Sequence, residues 1–189
     1  MDLILQALKK ADRAAFRTRE YAALLNKQGY ARLVLHRLKV KGELISIKNG
    51  WWAFPDALPD AIACEMSKPC YLSFHSALSL HGLTTQTPRN IQLAVIRKTR
   101  KYKISEIEVM EYKIKKGQFN NFSRSEGMMI ASQEKAFADC LLLPRACPEI
   151  VLLEAIGKVD LDKVKQLITP MANKRLKRLM RYAKQGRTE

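Results

Sequence analysis

At 189 residues, 47% of them hydrophobic, the chain can build one generous domain or two small ones, and a real core is expected. Its 34 Lys and Arg against 18 Asp and Glu give a formal charge of +16, and no apolar run approaches the ~20 residues that cross a bilayer, which excludes a membrane-spanning helix. Basic residues outnumber acidic ones 11 to 6 over residues 1–60, 11 to 5 over 61–130 and 12 to 7 over 131–189, so the charge belongs to the whole body and favours a polyanion, most commonly nucleic acid.

The opening MDLILQALKKAD carries acid early and lacks a small-residue cleavage site, so it reads as a first helix over Leu3–Lys10 and the protein is expected to be cytoplasmic. Thr18 is the expected N-cap of a second helix with Tyr21, Ala22, Leu24 and Leu25 on its apolar face. Residues 26–29 supply a turn, with Gly29 free to take a positive φ. A third helix follows over Tyr30–Lys41, with Ala31, Val34, Leu35 and Leu38 on one side and Gly42 as its stop. Leu44–Lys48, the turn signal Asn49-Gly50 and Trp51–Phe54 then read as a hairpin, whose alternation should bury one of Trp51 and Trp52. Two short helices, a turn and a hairpin over residues 16–54 make the pattern of a winged helix-turn-helix.

Pro55, Asp56, Pro59 and Asp60 break that pattern and place a domain boundary between 1–60 and 61–189. In the second region SFHSALSLHGL reads as a helix capped by Ser73 and stopped by Gly82, and IQLAVI at 91–96 as a strand. The basic stretch 97–103 reads as a link to strands near 107–114 and 128–131. Helices are expected over 133–143, capped by Ser132, and over 149–156, 161–168 and 171–184. The expected fold class is α+β, an N-terminal winged helix-turn-helix followed by a mixed α/β C-terminal domain ending in helices.

In such a fold the third helix enters the major groove. Opposite its apolar face lie Arg32, His36 and Arg37; Arg can pair bidentately with guanine, and His can donate or accept. Leu33 and Val40 point outward as well. Lys48 and Asn49 at the hairpin tip suit a phosphate or the minor groove, while Arg17, Arg19 and Lys27 are expected phosphate contacts. The last helix, 173–187, holds seven basic residues and no acid. A stripe of Leu176, Leu179, Met180 and Ala183 leaves Lys174, Arg175, Lys177, Arg178, Arg181 and Lys184 facing out, as a solvated face or a second backbone contact.

Catalysis is not expected. Glu111-Tyr112-Lys113 has the Glu-x-Lys half of a nuclease metal site, near Glu106 and Glu108, but no Asp lies between Asp60 and Asp139 to share the metal. There is no phosphate-binding loop, dinucleotide fingerprint or nucleophile elbow. Cys64, Cys70, Cys140 and Cys147 lack metal-ligand spacing even with His75 and His81 near Cys70, and they read as free thiols. No metal or cofactor is expected.

The run YLSFHSALSLHGLT at 71–84, then IQLAVI, then IASQEKAFADCLLL at 130–143, resembles the AbiEi-type antitoxin and transcriptional regulator family. Its landmarks stand here as Ser76, Ala77, Leu78, His81, Gly82 and Leu83, then Ala131, Ser132, Glu134, Lys135, Ala136 and Asp139, with Gln133 where the family often has Pro. The resemblance implies a repressor that autoregulates its operon as the antitoxin of an AbiE-like (type IV) system, countering a nucleotidyltransferase-like toxin. The implied DNA partner is an operator, an inverted repeat holding two copies of the chain. Chemically, His81 suits a helix C-terminus, and Glu134, Lys135 and Asp139 suit a helix cap and surface pairs. The alternatives are an RNA- or protein-binding adaptor without antitoxin role and, behind it, a metal nuclease.

Overall fold

A computed structural model describes residues 3–26, 28–48 and 50–185. The first part runs α1 (Leu3–Lys10), β1 (Ala15–Arg17), α2 (Thr18–Leu25), α3 (Gln28–Val40), β2 (Ile45–Lys48) and β3 (Trp51–Ala53), with the strands in one antiparallel sheet of order β1-β3-β2. The pleat sends alternate side chains to opposite faces. Phe16 pairs with Trp52 on one face, while Ala15 with Ala53 and Arg17 with Trp51 share the other. The Phe16 face closes a small core with Leu5, Leu8, Tyr21, Ala31, Leu35, Leu38 and Leu44. The other face meets α4 (Pro59–Ser67), and there Ala15 and Ala53 join the larger core. Both tryptophans are half-buried, one against each core, where one buried ring was expected.

Local chemistry sets the joints. Asn26, and not Gly29, takes the left-handed conformation between α2 and α3, with φ 55°, because α3 already begins at Gln28. Thr18 is the first residue of α2 instead of its cap. The Arg17 backbone N–H donates to Glu20 Oε2 at 2.7 Å, which ties the start of that helix to its first turn. Gly42, at φ 75°, ends α3, and the N–H groups of Gly42 and Glu43 return to the carbonyls of Lys39 and Leu38.

The second part adds β4 (Cys70–Leu72), α5 (Phe74–Leu80), β5 (Ile91–Val95), β6 (Arg100–Ile104), β7 (Ile107–Lys113), β8 (Phe122–Ser125), β9 (Met128–Ala131), α6 (Gln133–Leu142), α7 (Glu149–Ala155), α8 (Leu161–Leu167) and α9 (Pro170–Gln185). Its mixed six-stranded sheet has the order β6-β7-β5-β4-β9-β8, parallel at β5/β7 and β4/β9 and antiparallel elsewhere. All five residues of β5 are buried, as a strand covered on both faces requires. The basic stretch read as a link is in part an edge strand, β6. Helix α6 packs on α5, α8 and α9. Nine helices and two sheets among the described residues make this a mixed α+β protein. None of those helices is long and apolar enough to cross a membrane.

Candidate nucleic-acid interface

Helix α3 packs on α2 and on the small core through Ala31, Leu35 and Leu38. Its other side is exposed and carries Arg32, His36, Arg37 and Lys39. Arg32 and His36 have no side-chain partner among the described residues, and Arg37 Nη1 donates a long 3.5 Å bond to the Tyr30 hydroxyl. Between these polar groups stand Tyr30, Leu33 and Val40, 46, 47 and 75% exposed. The face therefore offers hydrogen-bond donors interleaved with apolar groups, the mixture that base edges and thymine methyls can both use.

The hairpin after α3 is folded back. The Gly50 carbonyl accepts from the Thr18 N–H at 2.8 Å and from its hydroxyl at 3.3 Å, and the Trp52 indole N–H donates to the same hydroxyl at 2.8 Å. Lys48, expected at a free tip, instead places its ammonium 4.5 Å from the ring centre of Tyr102 in the large sheet. Lys27 and Asn49, the other expected contacts here, lie outside the described residues. Arg17 lies 4.8 Å over the Trp51 ring, and Arg19 is exposed on α2.

Helix α9 buries Ala172, Leu176 and Leu179 against α6 and α7. Two of its cations are already engaged within the protein. Arg175, expected to face out, is half-buried and donates to the Leu141 carbonyl at 2.8 Å, satisfying the C-terminal end of α6. Arg178 pairs with Glu149 at 3.1 Å. Lys174, Lys177 and Arg181 are exposed and have no carboxylate partner among the described residues.

The landmarks of the second region meet in space. His81 caps the C-terminus of α5 and its Nε2 lies 2.8 Å from the Ala131 carbonyl. Ser132 caps α6 by accepting the Lys135 N–H at 3.2 Å. Lys135 and Asp139, expected as surface groups, are 1 and 0% exposed and pair across one turn of α6. Asp139 also accepts from the hydroxyls of Tyr71 at 2.9 Å and Ser73 at 2.8 Å. Burial raises the Asp139 pKa and Lys135 opposes that rise; burial likewise pushes Tyr71 up. An i,i+4 spacing looks the same on a wet face and in a core, and here the hydroxyls of β4 and the residue after it decide which.

Glu111 carries no free carboxylate for a metal. Arg100 on the adjacent strand holds it through two bonds of 2.6 Å, and Ser67 donates to it at 2.5 Å. All four cysteines are buried. No group of three or more His, Cys, Asp or Glu among the described residues is placed to hold a metal ion.

The whole arrangement has a counterpart among solved structures. The crystal structure of the RV2827C protein from Mycobacterium tuberculosis is similar, with a TM-score of 0.62 and 14% identity over 95% of this chain and 75% of that one. At that identity the likeness is one of fold. No family model and no curated protein sequence matches the chain.

Proposed function

We propose that the protein binds duplex DNA as an operator-specific transcriptional repressor, acting as the antitoxin of an AbiE-like (type IV) system and autoregulating its operon. The observation that carries DNA binding is the outward face of α3, where Arg32 and His36 stand exposed without partners on a chain of charge +16. The order α1-β1-α2-α3-β2-β3, with sheet order β1-β3-β2, supports reading residues 3–54 as a winged helix-turn-helix with α3 as its recognition helix. Arg32 and Arg37 would then reach guanine edges and His36 a neighbouring base, while Arg19, Lys174, Lys177 and Arg181 take phosphates. The antitoxin role rests on the resemblance of residues 71–84 and 130–143 alone. Two copies on an inverted repeat would match the symmetry of such an operator.

The test compares the promoter duplex upstream of the gene with random duplex over a salt series. Both affinities should fall steeply with salt, and the promoter should bind more tightly at every salt concentration. Equal affinity sinks the operator claim. For the antitoxin role, co-expression with an adjacent nucleotidyltransferase-like gene should restore growth that the toxin alone arrests.

A second reading has its own observation. Tyr30, Leu33 and Val40 give α3 an exposed apolar component suited to a protein partner, as in an adaptor. Under that reading Arg32→Ala leaves the affinity for every duplex unchanged.

A further inference from the structure

A crevice of about 250 Å³ opens where the small sheet meets the second part of the chain. Its charged lining sorts into two groups. Arg13 is bound to Glu20 at 3.3 Å and to Glu65 at 3.0 Å, and Lys68 is bound to Glu65 at 2.7 Å. Those two cations face two carboxylates and cancel. Arg17, Arg19 and Arg97 line the same crevice and have no carboxylate partner among the described residues.

The three guanidiniums are positioned differently. Arg17 lies over the Trp51 ring, 4.8 Å from its centre, its place set by cross-strand pairing of β1 with β3. Arg97, just after β5, spends one nitrogen on the carbonyls of Ser67 at 2.7 Å and Lys68 at 2.9 Å. Those bonds orient the group without cancelling its charge. Arg19 stands exposed at the rim.

Three uncompensated guanidiniums from β1, α2 and the segment after β5 repel one another unless an anion joins them, and the guanidinium fork suits phosphate oxygens. We infer that this crevice is a phosphate site which, on duplex DNA, takes one backbone phosphate, with Arg97 bringing the second part of the chain into contact with the nucleic acid. The inference rests on the DNA-binding reading above. It adds to that reading a residue from outside the first 60 and a shared ligand for three arginines.

The experiment uses the full chain carrying Arg17→Gln, Arg19→Gln or Arg97→Gln, the triple variant, and Arg89→Gln as an exposed arginine outside the crevice. Affinity for the promoter duplex is measured over a salt series, and each phosphate neutralised contributes about 0.9 to the slope of log K against log salt. Because the three share one phosphate, the triple variant should lose about 0.9 from the slope and not about 2.7. Arg89→Gln should keep the wild-type slope. Arg19→Gln, whose side chain has no partner, keeps the test valid should Arg97→Gln fail to fold.

A wild-type slope in the triple variant overturns the backbone-phosphate contact and leaves the DNA reading standing. A wild-type protein that binds no duplex at any salt overturns both. In parallel, inorganic phosphate is titrated while the indole resonance of Trp51 is followed by NMR. A phosphate-dependent shift that the triple variant loses, with duplex slopes unchanged, assigns the crevice to free phosphate and overturns the backbone contact.

Discussion

The Nε2 atom of His81 lies 2.8 Å from the carbonyl oxygen of Ala131, 50 residues further along the chain. That bond ties the end of α5 to the strand leading into α6. The two stretches that carry the family resemblance are therefore one packed unit, joined again by Ser73 and Tyr71 at Asp139. A histidine held by a main-chain carbonyl and an aspartate at 0% exposure serve the fold. The surfaces we propose for a partner, on α3, α9 and the arginine crevice, lie outside this packed unit.

Lys135→Met leaves Asp139 buried without its counter-charge. Removing one member of such a pair costs about 3–5 kcal/mol, whereas removing both charges costs less. Urea denaturation should rank Lys135→Met below the double variant Lys135→Met/Asp139→Asn, which keeps an acceptor for Tyr71 and Ser73. The single variant also gains a pH dependence. Burial holds the folded Asp139 pKa above the 3.8 of the unfolded chain, and without Lys135 nothing of opposite charge opposes that rise, so stability should fall as pH rises past 3.8. A single variant as stable as the double one contradicts the buried pairing.

Glu154 on α7 clasps the loop after α5. The Thr85 N–H, the Thr84 hydroxyl and the Gln86 amide hold its pKa down to about 2, against 4.5 in the unfolded chain. A lowered carboxylate contributes stability that is complete above pH 4.5 and is lost as pH falls through about 2. The stability difference between wild type and Glu154→Gln should be flat above pH 4.5 and shrink below it. A difference that grows on acidification reverses the assignment.

The buried thiols should be inert. The Cys70 thiol and burial push Cys64 up, and burial with the Cys147 thiol pushes Cys140 up, so thiolate is scarce as well as inaccessible. A coloured disulfide reagent at pH 8 should react slowly with the folded chain and titrate four thiols per chain in denaturant. One fast thiol in the folded protein would place a cysteine at the surface.

On DNA, readers and holders should separate. Arg32→Ala should cost about 1–3 kcal/mol of preference for the promoter duplex, because a bidentate base contact is lost. Lys174→Ala should weaken every duplex alike and lower the salt slope by about 0.9. Gel-shift titrations on promoter and random duplex measure both. Loss of preference in Lys174→Ala with none in Arg32→Ala exchanges the roles.

The elements that announce themselves in the sequence do so through local chemistry. The Gly42 stop, the hairpin into Trp51, the apolar run of β5 and the Ser132 cap of α6 each need only their neighbours. Helix α4 was hidden because Pro59 reads as a breaker, though proline at the first helical position starts a helix. Residues Ile62 to Ser67 are buried all round, so no amphipathic rhythm betrays them. The outward placement of Arg32, His36 and Arg37 on α3 was legible from the helical wheel. Arg175 turned inward because the last carbonyls of α6 needed donors, and Arg97 joined Arg17 only through the packing of two sheets. No periodicity carries that information.

The outermost strands of the large sheet also bear on self-association. One is RKYKI and the other is FSRS, and two like copies brought strand to strand at either would set arginine or lysine against its own kind. Ladder growth between copies through the large sheet is thereby discouraged in a strongly basic chain.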